Sequence, residues 1–113
     1  MAKLIVSGDV ITVSLSAMEK VETLKGNVSF PRAAVMSARA VPSGMAELQG
    51  MRVGTGLPGV IAAGTWHQGG QVTFAVCHGN GPAVVLDLAG QQYQRIVITA
   101  GDPQEVLASL GMA

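Results

Sequence analysis

The chain has 113 residues, 49% of them apolar and only 12% Asp, Glu, Lys or Arg, against about 25% charged residues in typical globular chains. Seven basic and seven acidic side chains cancel, so no basic excess exists to attract nucleic acid or an anionic lipid surface. A sparsely charged, neutral surface favours association, and a homo-oligomer or a chain resting against another protein is expected; the length suits one domain spanning 1–113 with a core that needs no disulfide or metal.

Leu4–Val6 and Val10–Leu15 read as strands separated by Gly8-Asp9, which either turns a hairpin or bends one long strand. Ile11, Val13 and Leu15 alternate with Thr12 and Ser14, giving one dry and one wet face. The period changes at Ser16–Leu24. Ser16 and Glu19 have capping-box spacing, and Gly26 ends the segment. The expected helix carries a stripe of Ala17, Met18, Val21 and Leu24 toward the sheet, with Glu19, Lys20, Glu22 and Thr23 toward water.

Asn27–Phe30 is a short strand closed by Pro31, and Ala34–Val41 another, ended by Pro42-Ser43-Gly44. The facing of the second is ambiguous. Val35 and Val41 share one side with Ser37 and Arg39; Met36, Ala38 and Ala40 share the other. Gly44–Pro58 is the least regular stretch and reads as a long, glycine-rich loop. Then follows an expected four-strand meander: Val60–Trp66, Val72–Cys77, Ala83–Leu88 and Arg95–Ala100, with turns at Gln68-Gly69-Gly70, Gly79-Asn80-Gly81-Pro82 and Ala89-Gly90-Gln91. Asp102 as N-cap, Pro103 at the first helical position and Glu105 three residues beyond the cap start a final helix. Its Val106, Leu107 and Leu110 fall on one face and need an apolar surface to lie on.

These elements predict a mainly β barrel or sandwich with helical additions. Their order and several local sequences resemble the bacterial pleckstrin-homology-like (PH-like) proteins, in particular small single-domain actinobacterial ones of unassigned role. The residues carrying the resemblance are Leu15-Ser16-Ala17-Met18-Glu19-Lys20-Val21-Glu22, Phe30-Pro31-Arg32, Gly54-Thr55-Gly56-Leu57-Pro58-Gly59-Val60 and Asp102-Pro103. The resemblance implies a curved barrel of about seven antiparallel strands, a short helix after the first strand and a C-terminal capping helix. It implies little about activity, because the fold hosts lipid binding, peptide binding and pure assembly. Lipid-binding members cluster Lys and Arg on the first strands. Here only Lys3 precedes Lys20, so phosphoinositide binding is not expected.

Few residue groupings suggest chemistry. Gly54-Thr55-Gly56-Leu57-Pro58-Gly59 spells the dinucleotide-binding pattern, but a strand rather than a helix follows it, and Asp87 lies too far on to serve as the ribose acid. A loop whose backbone N–H groups hold a small anion beside Arg52 is the version retained, with Gly54, Gly56 and Gly59 as ligand-binding positions and Arg32 as a second cation. Cys77 and His78 are neighbours and point to opposite faces of a strand. His67 lies across the expected hairpin and could approach one of them, which is the only enzymatic grouping available; no spacing signature for a metal or cofactor accompanies it. Trp66, near a turn, is either a partner-contact residue or a lid on the core. Cys77 is the sole cysteine, which suits a reducing cytoplasm. Leu4-Ile5-Val6 is too short for a signal segment, and no apolar run approaches the ~18 residues of a membrane span. The expected function is therefore a non-catalytic module that self-assembles or binds a protein. The alternative is binding of a small molecule or anion at the Gly54–Gly59 stretch, and the third is an enzyme built on His67, Cys77 and His78.

Overall fold

In the computed structural model, which describes residues 2–111, the chain forms two open antiparallel-dominated sheets packed around one apolar core. The elements are β1 (Lys3–Ser7), β2 (Val10–Ser14), α1 (Ala17–Thr23), β3 (Val28–Pro31), β4 (Val35–Val41), β5 (Met51–Leu57), β6 (Ile61–Gln68), β7 (Gln71–His78), β8 (Ala83–Leu88), β9 (Arg95–Thr99) and α2 (Pro103–Ser109). Short 3-10 turns at Arg32–Ala34 and Met45–Glu47 make two of the corners. The small sheet is ordered β1-β2-β3 and the large one β4-β8-β9-β7-β6-β5. Mainly β architecture with two helices, one of them C-terminal, is thus as expected.

Several expectations are corrected. The first helix follows the second strand, not the first, because Gly8-Asp9 splits the opening segment into a hairpin. The described strands number nine and close no barrel. The last four strands are not a meander: β9 slots between β7 and β8 and runs parallel to β7, with Phe74 opposite Ile96 and Val76 opposite Ile98. Gly79–Pro82 therefore strides across a strand position instead of turning between neighbours. Finally, Gly44–Pro58 is not a loop throughout, because Met51–Leu57 forms a complete ladder with β6. Gly54 and Gly64 face each other there with φ of +136° and +150°. A Cβ on Gly54 would run into the Ala63 carbonyl oxygen, and one on Gly64 into that of Val53. The strand needs glycine at this pair because the two backbones approach too closely for any side chain.

Gly8-Asp9 makes a two-residue hairpin turn, with Ser7 opposite Val10 and Gly8 at φ +60°. The ambiguous facing of β4 has a local cause. A bulge between Val35 and Ser37 shifts the phase, so that Val35, Ala38 and Ala40 all reach the main core while Met36 is left outside.

Both faces of the large sheet are apolar. One packs Phe74, Val76, Val84, Leu86, Ile96 and Ile98 against Ile11, Val13 and Phe30 of the small sheet. Helix α2 closes this core with buried Leu107 and Leu110 and half-buried Val106, the expected face. Asp102 caps it by accepting from the Glu105 N–H at 3.1 Å. At the other end the Arg32 guanidinium donates to the Leu110 carbonyl at 2.6 Å, a cation where helix carbonyls lack partners. The opposite face carries a smaller cluster that includes Ala62, Trp66, Ala75, Cys77, Val85 and Val97, with Val41 at the end of β4 and Met45 and Leu48 of the 42–50 connection packed against it.

Helix α1 is turned opposite to its apolar stripe. Glu19 and Thr23 are 2% and 0% exposed, whereas Met18, Val21 and Leu24 are 67%, 68% and 67% exposed. Burial of Glu19 and Thr23 is tolerated because their side-chain polar atoms find partners. Glu19 accepts from the Ser16 N–H at 2.8 Å, and the Ser16 hydroxyl accepts from the Glu19 N–H at 3.1 Å. The second carboxylate oxygen lies 2.8 Å from Nε2 of His78. The Thr23 hydroxyl donates to the Glu19 carbonyl at 2.8 Å. A helix of seven residues has too little apolar face to outweigh such a set.

Candidate functional site

A concavity lies between the 42–50 connection and the β5–β6 hairpin, on the sheet face opposite α1. It is a cleft of about 420 Å³ whose walls include Met45, Leu48, Ile61 and Trp66, with Arg52, Gly56, Gly59 and Asn80 along its length. Strand geometry assembles it. Arg52 and Gly56 are four residues apart on β5 and share a face. Their cross-strand partners on β6 are Trp66 and Ala62. The arginine side chain lies back along β5, and a Cβ built on Gly56 would meet its guanidinium. Gly59 sits at φ +76° in the turn closed by the Val60 N–H to Leu57 carbonyl bond at 2.9 Å; Pro58 before it completes a turn that requires glycine at this position.

Four of the residues singled out from sequence, Arg52, Gly56, Gly59 and Trp66, are thus brought together. Gly54 is not: it belongs to the close crossing with Gly64, and its backbone serves the β5–β6 ladder rather than an anion. Arg32 is not either, being committed to the end of α2. Trp66 is 7% exposed and forms part of the second core cluster, so it acts as wall and lid. The sequence missed Met45, Leu48 and Asn80, which arrive from other segments; only their neighbourhood to glycine-rich turns hinted at a lining role.

The enzymatic trio is not assembled. His67 pairs with Val72 at one end of the β6–β7 hairpin, while His78 pairs with Ile61 at the other, roughly 20 Å apart at strand rise. His67 lies 3.4 Å from the Thr65 hydroxyl and His78 is engaged with Glu19. Cys77 is fully buried, and burial pushes its thiol up to about 12, which leaves almost no thiolate at neutral pH. Among the described residues no three His, Cys, Asp or Glu side chains gather as a metal site would require.

A second feature had no sequence signal beyond the Ser16/Glu19 spacing. Met18, Leu57 and Val60 line a shallow groove of about 410 Å³ with Glu19, Glu22 and His78 at its base and rim. Burial pushes the Glu19 carboxyl up, but hydrogen bonds from the Ser16 backbone and from His78 outweigh it and hold the group below the ordinary carboxylate range. Glu19 is therefore an anion at neutral pH beneath an apolar surface. On the far side of the molecule Asp87 ties three strands together. It takes the Arg95 Nε–H at 2.8 Å, the Ser37 hydroxyl at 2.8 Å and the Arg39 guanidinium at 3.4 Å.

Comparison with known proteins finds no matching family model, no similar curated protein and no similar solved structure. No helix among the described residues is long and apolar enough to cross a membrane.

Proposed function

We propose that the protein is a non-catalytic PH-like module of a reducing compartment that associates with a second copy of itself through the outward face of α1. The observation that carries this is the inverted helix. A seven-residue helix buries Glu19 and Thr23 and presents Met18 and Val21, with Leu24 at its end, to the outside. Leu57 and Val60, 55% and 62% exposed, continue the same patch. Together these five side chains expose on the order of 500 Å² of apolar surface, comparable to the largest apolar patch of an ordinary soluble monomer, which is often functional, and more than half of one side of a standard interface.

The occupant is a second copy because nothing in the chain repels one. The net charge is zero, and exposed Lys20 and Lys25 flank Glu22 in sequence, a mixed set of charges of the kind that can complement itself across a two-fold axis. What supports the PH-like assignment is mainly β architecture around a core shared by the two sheets, with the C-terminal helix α2 packed onto it. A binding role in place of catalysis is supported by the separation of His67 from His78 and by the buried Cys77.

Sedimentation over a concentration series tests this. The wild type is expected to dimerise in the micromolar range. Val21→Asp and Leu57→Asp are each expected to give folded monomers, while Met36→Asp, on β4 and equally exposed, leaves the dimer intact. A wild type that stays monomeric at hundreds of micromolar, or a dimer indifferent to Val21→Asp, removes the proposal.

A further inference from the structure

We infer that the cleft beside Arg52 binds a small monoanion with an apolar body, of the alkyl or aryl carboxylate class, its charged end on Arg52 and its body against Trp66, Leu48 and Met45. Three observations meet there. First, Arg52 stands apart from the other arginines. Arg32 is spent on the Leu110 carbonyl, Arg39 on Asp87 and Glu47, and Arg95 on Asp87; among the described residues Arg52 has neither carboxylate nor carbonyl partner. A guanidinium is a fork of donors suited to a carboxylate. Second, the walls hold no acid and no second cation, so the site balances one negative charge and offers a more highly charged ligand nothing further. Third, the floor is kept low by small residues. Gly56 and Ala62 face each other across the hairpin, and the arginine crosses directly over Gly56, where a methyl group would displace its guanidinium. The volume of about 420 Å³ falls within the range of small-molecule sites. Leu57 borders both this cleft and the groove beside α1, whereas Val21 does not line the cleft, so Val21→Asp removes self-association without touching this site.

The test is a titration of the ¹⁵N-labelled protein with hexanoate, with hexanol, hexylamine and inorganic phosphate as comparison probes. Hexanoate is expected to give saturable shifts centred on the Trp66 indole N–H and the amides of Gly56 and Asn80. Hexanol and phosphate should bind roughly tenfold more weakly or less, because each lacks one half of the recognition, the charge-assisted bond alone accounting for about that factor. Hexylamine should not bind. Arg52→Gln, at an exposed position, and Gly56→Ala should both reduce hexanoate to the level of hexanol with an otherwise native spectrum, and Val21→Asp should leave hexanoate binding intact. The proposal is overturned if hexanol matches hexanoate, if phosphate matches hexanoate, if no saturable shift appears near Trp66, or if folded Arg52→Gln binds hexanoate as the wild type does.

Discussion

Replacing Glu19 by Ala tests the orientation of α1 directly. The side chain is 2% exposed and supplies one half of the capping box together with the 2.8 Å bond to His78. Loss of the box costs about 0.5–1 kcal/mol. Loss of the bond to His78 belongs to the charged class worth ~1.5–3 kcal/mol, and its lower end applies because His78 is one-third exposed and water can replace its partner. Removing one buried methylene adds about 0.8 kcal/mol, and relief of the carboxylate's burial penalty takes part of this back. The expected net destabilisation is about 2–3 kcal/mol, a fall in Tm of roughly 10 °C for a chain of this size. Met18→Ala and Val21→Ala, at positions two-thirds exposed, should change stability by about 0.5 kcal/mol or less when measured below the dimerisation range. Thermal and urea unfolding of the three variants decides the matter. If Glu19→Ala is neutral while Met18→Ala or Val21→Ala costs 2–3 kcal/mol, the helix lies the other way round, and the argument for an outward apolar face fails with it.

Four further outcomes follow from the same structure. Glu19 and Asp87 both titrate below their ordinary range, in each case because hydrogen bonds and neighbouring charge overcome an opposing effect of burial; their folded pKa values are depressed, so the stability they add is present above pH ~4.5 and is lost as pH falls through the depressed values, and acid unfolding should be less steep in Glu19→Ala. Cys77 has the reverse sign: with its thiol raised from near 9 to about 12, stability should decline as pH climbs through that window, and the native protein at pH 8 should resist a thiol reagent until denaturant is added. Arg32→Ala removes the cation at the end of α2 and should cost about 1 kcal/mol with local loss of amide protection over Ala108–Gly111 in hydrogen exchange. Gly64→Ala, forced to positive φ against the Val53 carbonyl, should cost ~1–3 kcal/mol in chemical denaturation; a neutral result would mean that β5 and β6 do not cross as closely as described.

Most element spans were legible because their punctuation is local. Gly8-Asp9, Pro31, Gln68-Gly69-Gly70 and the Ser16 and Asp102 caps each act within a few residues, and the strands between them have length and alternation enough to be read. The docking face of α2 was legible for the same reason, as Val106, Leu107 and Leu110 leave only one way to lie on a core. The order of the strands was not. Four residues, Gly79 to Pro82, can turn between neighbours or step over one strand, and only the packing of β9 between β7 and β8 decides which. The facing of α1 was hidden because the partner that reverses it, His78, lies 59 positions away. Of the candidate site, the Arg52–Gly56 relation was present in the sequence but misread as loop; once those residues are a strand, their spacing places them on one face with Trp66 opposite.

Strand β5 shows how one stretch can be both a sheet edge and a binding wall without inviting uncontrolled pairing. It ends the large sheet, and an exposed edge ordinarily offers a template for another strand. Here the glycine crossing at Gly54 departs from extended geometry, Arg52 places a charge on the strand, and the Thr55 hydroxyl donates to the Glu22 carbonyl at 3.0 Å, fastening the end of α1 beside it. Each of these makes addition of a flat strand unfavourable. The apolar surface left accessible at this end is then side chains, those of α1, of Met51 and Val53 on β5 and of the Leu57–Val60 turn, not the backbone. Contact through side chains limits the partner to a surface of matching shape, and a chain with so few charges has no other means of limiting it. The inverted helix, the kinked edge strand and the charge deficit are consistent with one another in that sense: the first supplies the contact, the second blocks the alternative, and the third removes the repulsion between copies.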